Sequence, residues 1–110
     1  MGITAVGSVV LIKFPHSDLK SYKLRPALVV GLAEFNDIVL CQITSNGYSS
    51  KNVVTLRATG FTSGGLPVES FIRPDKLFAT DSKIVSSQLG MVSTELMKTV
   101  RHRLGAMLGL

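Results

Sequence analysis

Leu24-Arg25-Pro26-Ala27-Leu28-Val29-Val30 places a permanent cation at the mouth of a short apolar run. Pro26 holds its own φ near about −65° and biases Arg25 towards extended backbone. The four residues that follow read as a strand inside a sheet. The Arg25 guanidinium, a rigid fork of N–H donors, is therefore mounted on something that cannot drift. A cation held this way can grip a phosphate, or it can cap a strand end and pair with a surface acid. The stretch by itself leaves both readings open.

On the N-terminal side, residues 6–14 are β-branched and apolar between Gly7 and Pro15, which predicts a first strand. Residues 15–24 then read as a polar loop with Ser17-Asp18 as turn chemistry, long for a tight hairpin and of the kind that carries function. On the C-terminal side, the second strand spans 25–32. A turn around Glu34-Phe35-Asn36 leads into a third strand over 37–43, and Thr44 to Ser50 open a second polar loop. Residues 52–57 alternate as a strand, and 59–67 read as a breaker-rich connection. Residues 69–78 are a strand in which Pro74 removes one ladder donor, as suits an edge or a bulge. A turn at 81–83 and one more strand over 86–91 follow.

Ser93 is placed as a helix N-cap with Glu95 in the first turn. Leu96, Val100, Leu104 and Leu108 recur at i+4, so one stripe is expected to face the core, with Lys98, Arg101, His102 and Arg103 on the other face. Strands first and one helix last predict a mainly β fold, a small twisted β-barrel or half-barrel capped by a helix. No helical pattern separates the strands, which disfavours a βαβ arrangement.

The 110 residues suit a single domain over 1–110, and 45% hydrophobic against 17% charged residues is enough apolar content for a core without staples. The one cysteine, Cys41, allows neither an intramolecular disulfide nor a zinc cluster, as fits a reducing cytoplasm. No run approaches the length of a membrane span, and the N-terminus lacks the pattern of a signal peptide. A net charge of +5 favours an acidic partner, nucleic acid first. Lys13, Lys20, Lys23 and Arg25 gather against one acid, Asp18, and Lys98, Arg101 and Arg103 form a second group.

There is no glycine-rich phosphate loop, no metal-ligand spacing and no nucleophile elbow, so neither a metal nor a cofactor is expected. The chemistry-bearing residues are His16, Lys23 and Arg25, then Thr44 and Ser45, then Arg73, Asp75 and Lys76. They offer cations for a phosphate, hydroxyls to orient it, and an imidazole or carboxylate to move a proton. Cleavage of RNA by its own 2′-hydroxyl needs those three functions and no metal. Each group also has a plain reading: His16 as a solvated loop side chain, Thr44 and Ser45 as partners of strand-end backbone, Arg73 and Asp75 as a surface ion pair worth little. Tyr48 or Phe61 could stack a base or pack locally.

Phe14-Pro15-His16-Ser17-Asp18-Leu19, Lys23-Leu24-Arg25-Pro26-Ala27-Leu28-Val29, Ile38-Val39-Leu40-Cys41-Gln42-Ile43-Thr44-Ser45 and Phe71-Ile72-Arg73-Pro74-Asp75-Lys76-Leu77-Phe78 occur in this order over nearly the whole chain. In that order they resemble the MazF/PemK-like toxin family. The resemblance implies an SH3-like barrel with a C-terminal helix, a homodimer, metal-independent cleavage of single-stranded RNA, and a separate antitoxin chain that blocks the site. It implies further that Arg25 and Thr44 match the catalytic pair of the chromosomal branch, and that Arg73 and Asp75, with His16, match residues of the plasmid branch. Arg25 is then expected to stabilise the pentacoordinate phosphorane and Thr44 to orient an oxygen. Asp75 stands ahead of His16 as base, while Lys23 and Lys76 hold flanking phosphates and Ser45 assists in RNA binding. Leu24 departs from the basic residue or glycine that many relatives carry before Arg-Pro. The rival readings are a gyrase poison like CcdB, which shares the barrel, and a catalytically inactive RNA-binding domain.

Overall fold

In a computed structural model of the chain, which describes residues 4–15, 20–46 and 51–110, seven strands form one antiparallel sheet with short 3-10 turns between some of them and a single α-helix after them. The strands are β1 (Ser8–Pro15), β2 (Tyr22–Leu32), β3 (Asp37–Thr44), β4 (Val54–Leu56), β5 (Phe61–Gly64), β6 (Ser70–Asp81) and β7 (Val85–Val92), and the helix is α1 (Thr94–Leu108). They lie in the order β4-β6-β3-β2-β1-β7-β5. No described helix is long and apolar enough to cross a membrane.

The three central strands are apolar on both faces, and period-2 alternation sends their side chains into two separate cores. Val9, Leu28, Cys41, Ile43 and Ile72 join Val54, Leu56, Val92 and the helix residues Met97 and Val100 beneath α1. Val10, Ile12, Ala27, Val29, Ile38 and Leu40 form the second core on the opposite face. No helix covers that second core; the sheet covers it by curling. Phe14 of β1 and Phe78 of β6 have ring centroids 5.2 Å apart, although β2 and β3 lie between their strands. In a flat sheet those strands would be about 14 Å apart. Bulges supply the curvature: register shifts interrupt β1–β7, β2–β3, β3–β6 and β5–β7.

The sequence reading holds for the order of elements and differs in four places. The first loop is shorter than expected, because β2 begins at Tyr22 and Pro15 pairs with it, so Lys23 and Leu24 are strand residues. The breaker-rich stretch contains β5, whose four residues have too little apolar pattern to announce a strand. Leu96 and Leu104 pack on the core beside buried Val100, but Leu108 is 56% exposed because the helix outruns the sheet. Arg103 leaves the polar face of α1 and donates from Nη1 to the carbonyls of Lys51 (2.7 Å) and Val53 (3.2 Å). The N-cap is as read, with Ser93 Oγ accepting from the Leu96 N–H at 3.1 Å.

β5 is joined to β7 by an unusually close backbone approach. A Cβ on Gly64, whose φ is +64°, would lie 2.1 Å from the Leu89 carbonyl oxygen, and one on Gly90 would lie 2.6 Å from the Ser63 carbonyl oxygen. Gly64→Ala should therefore detach β5 and lower Tm by several degrees, with the far-ultraviolet circular dichroism of the remaining sheet retained. An unchanged Tm would contradict this packing. A second expectation concerns Cys41, which is fully buried. Burial, with a smaller contribution from the Asp75 charge, pushes its thiol from 9.0 up to about 12. A group with that pKa is ionised to only about one part in ten thousand at pH 8. A disulfide reagent such as DTNB should leave the native protein unlabelled for hours at pH 8 and titrate one thiol per chain in denaturant, and fast native labelling would refute this.

Candidate functional site

β2, β3 and β6 lie side by side, and their registers decide which side chains meet. Ala27 faces Gln42 and Leu28 faces Cys41 across β2–β3. That ladder ends at the Ala27–Gln42 pair, two residues short of Arg25 on β2 and of Thr44 on β3. Across β3–β6, Gln42 faces Arg73, Ile43 faces Ile72, and Thr44 faces Phe71. Ile43 and Ile72 point into the core beneath α1. Alternation therefore puts Gln42, Thr44, Phe71 and Arg73 on the opposite face. Arg25 shares that face, because it pairs with Ile12 of the second core. Arg25, Thr44 and Arg73 thus lie on one face of three neighbouring strands, and Asp75 joins them through its ion pair with Arg73.

The position of Asp75 depends on Pro74. Between the pairs Cys41–Leu77 and Gln42–Arg73, β3 advances one residue and β6 advances four, so Pro74, Asp75 and Lys76 have no partner on β3. Pro74 has no N–H to lose and its side chain is fully buried, so it anchors the bulge. The chain on either side then folds Arg73 and Asp75 together, with Arg73 Nη2 donating to Asp75 Oδ2 at 3.0 Å. The side chains are 19% and 38% exposed, which distinguishes this pair from Arg57–Glu69, at 66% and 50%. The ion pair expected as the plain reading of Arg73 and Asp75 is therefore present, with Arg73 its half-buried member and Asp75 its exposed one.

Thr44 is oriented by a local turn. Its Oγ1 accepts from the Asn46 backbone N–H at 3.2 Å, so the hydroxyl proton remains available to donate outward. Arg25 is half-buried and makes no ion pair among the described residues. Lys23 lies two residues outward on the same face of β2 and is exposed, as are Ser45 after β3 and Lys76 in the bulge. Of these cations, Arg73 is the one in contact with the Asp75 carboxylate. Among the described residues no group of three His, Cys, Asp or Glu side chains could hold a metal ion. His16 and Tyr48 lie outside the described residues. Phe61 packs against the core beneath α1, so its plain reading is the one the structure supports.

Sequence reasoning missed two members of this face. Gln42 is the single polar side chain in an otherwise apolar strand interior, a signal that was present in Ile38-Val39-Leu40-Cys41-Gln42-Ile43. Phe71 gave no comparable signal, because its face is fixed only by pairing with Thr44. Chemically, the arrangement can bind a phosphodiester between guanidinium groups, donate an O–H to one of its oxygens, and take a proton on a carboxylate.

The family model for the PemK-like, MazF-like toxin of type II toxin–antitoxin systems matches residues 5–108. Among solved structures, MazF of Deinococcus radiodurans (Form-I) is 26% identical with full coverage of both chains and a TM-score of 0.78. The MazE–MazF crystal structure from the same organism (Form-III) is 25% identical, with 99% of each chain covered and a TM-score of 0.79. A mycobacterial endoribonuclease in complex with its cognate antitoxin, 21% identical over 100% of this chain and 97% of that one, shares the fold with a TM-score of 0.73. No curated protein matches the sequence. With a site built on β2, β3 and β6 and a family match over almost its whole length, the chain belongs to the PemK-like, MazF-like toxins of type II toxin–antitoxin systems.

Proposed function

We propose that the chain is an endoribonuclease toxin that cleaves single-stranded RNA without a metal ion. Toxins of its family are endoribonucleases. The observation that carries the reading is the convergence of Arg25, Thr44 and the Arg73–Asp75 clamp on one face. In the proposed reaction the 2′-hydroxyl oxygen of one ribose bonds to the adjacent phosphorus, and the bond from phosphorus to the 5′-oxygen breaks. Asp75 takes the 2′-hydroxyl proton, and water protonates the departing 5′-oxygen. The products carry a 2′,3′-cyclic phosphate and a 5′-hydroxyl. Arg25 faces the charge that accumulates on the non-bridging oxygens, with Thr44 donating its free O–H to one of them. Arg73 holds the Asp75 carboxylate in position and adds positive charge. Lys23 and Lys76 bind flanking phosphates, which makes binding salt-dependent.

The proposal includes partners. The Deinococcus relative is solved as a MazE–MazF assembly, which supports a separate antitoxin chain as the partner that blocks this cationic face. A homodimer in the cytoplasm belongs to the same reading.

In EDTA the purified protein should cut single-stranded RNA. Arg25→Ala should lower kcat by about a hundredfold or more, with circular dichroism and Tm close to wild type. Thr44→Val, which keeps the shape and removes the hydroxyl, should lose activity mainly in kcat. Undiminished cleavage by Arg25→Ala would overturn the mechanism, and salt-dependent RNA binding without cleavage by the wild type would select a binding domain instead.

A further inference from the structure

Gln42, Arg73, Thr44 and Phe71 form a square on the face opposite α1: Gln42 faces Arg73, and Thr44 faces Phe71. Directly opposed residues stand about 5 Å apart and diagonal ones about 7–8 Å. Arg73 and Thr44 occupy one diagonal, Gln42 and Phe71 the other. We propose that Gln42 and Phe71 form a nucleobase subsite beside the phosphate-binding residues, with Phe71 stacking on a base next to the scissile phosphate and the Gln42 amide reading that base's edge. This rests on the reading of the chain as an RNA-cleaving toxin.

Phe71 is a half-buried ring that belongs to neither core, unlike Phe14, Phe61 and Phe78. Its cross-strand partners are Thr44 on β3 and Thr55 on β4, both small. No other aromatic ring packs on it among the described residues. A partly exposed aromatic ring beside a cationic row is the standard platform for an unstacked base, and every base has a π-face to offer it.

Gln42 supplies what stacking lacks. Its neighbours on β3, Cys41 and Ile43, are buried in the core beneath α1, whereas its own half-buried side chain stands on the site face between Ala27 and Arg73. The Gln42 amide forms no hydrogen bond among the described residues, and Ala27 contributes only a methyl group on the β2 side. A free amide carries an acceptor and two donors, the complement of a base edge that presents both. Phe71 would then give affinity for any base, and Gln42 would make the choice among bases.

The test compares wild type with Phe71→Leu, Gln42→Ala and Gln42→Glu on a long natural single-stranded RNA, with cleavage sites mapped by primer extension. Kinetics are measured on one oligonucleotide that the wild type cuts. Phe71→Leu should raise KM about tenfold with kcat within about threefold. Gln42→Ala should cut at additional sites, relaxing the preference at one position, and Gln42→Glu should shift that preference. A merely structural role would lower Tm and leave the site pattern intact. The wild-type pattern in both Gln42 variants together with the wild-type KM in Phe71→Leu would overturn the proposal. Fluorescence anisotropy of a labelled random-sequence 16-nucleotide RNA separates this from failure of the nuclease reading. If the wild type binds without cutting, the subsite stands when Phe71→Leu weakens binding about tenfold and falls when it does not. If the wild type does not bind, both readings fall.

Discussion

The placement of β3 between β2 and β6 is the constraint on which the rest of the structure depends. Both faces of this strand are buried over most of its length, with Cys41 and Ile43 in one core and Ile38 and Leu40 in the other. Each fully buried aliphatic side chain of this kind contributes about 1.5–3 kcal/mol. A slip of one residue would exchange the two sets and place Gln42 and Thr44 among apolar side chains, where an unpaired polar group is costly. The register is therefore heavily specified. Because it is, the polar residues of β3 can emerge only where the second core ends, with Gln42 opposite Arg73.

The same logic explains why the site combines rigidity with an irregular strand. Arg25 is held inside β2, paired with Ile12, and the Thr44 hydroxyl by the Asn46 N–H. The Arg73–Asp75 clamp instead depends on a break in the β6 ladder, which Pro74 tolerates because it has no N–H to leave unpaired. A regular strand would have run Asp75 onward along the ladder instead of leaving it in an unpaired bulge. The bulge that curls the sheet over its second core is thus also the feature that builds the carboxylate into the cationic face.

Much of this was legible in the sequence. The apolar runs around Leu28 and Leu40 announced the central strands, Ser93 and Glu95 the helix start, and Pro74 an edge or a bulge, of which β6, lying between β4 and β3, has the bulge. The two Arg-Pro pairs marked both guanidinium groups of the site. Other features were hidden for physical reasons. β5 has four residues of Phe-Thr-Ser-Gly and exists because Gly64 and Gly90 let its backbone approach β7, a tertiary condition that local composition does not carry. Leu108 obeyed the helical period but lies past the end of the sheet. Phe71 stood within a recognisable phrase, yet nothing local distinguishes a phenylalanine of the core from one outside both cores, and its face is fixed only by its pairing with Thr44 and Thr55.

The central claim is that this face positions an RNA phosphate for attack by the neighbouring 2′-hydroxyl. It is tested most directly with an oligonucleotide carrying a single 2′-deoxy substitution on the 5′ side of a mapped cut. This molecule should bind as the all-ribose parent does and remain uncut at that position, while the parent yields 2′,3′-cyclic phosphate and 5′-hydroxyl ends. Cleavage of the 2′-deoxy molecule at the same position would contradict it.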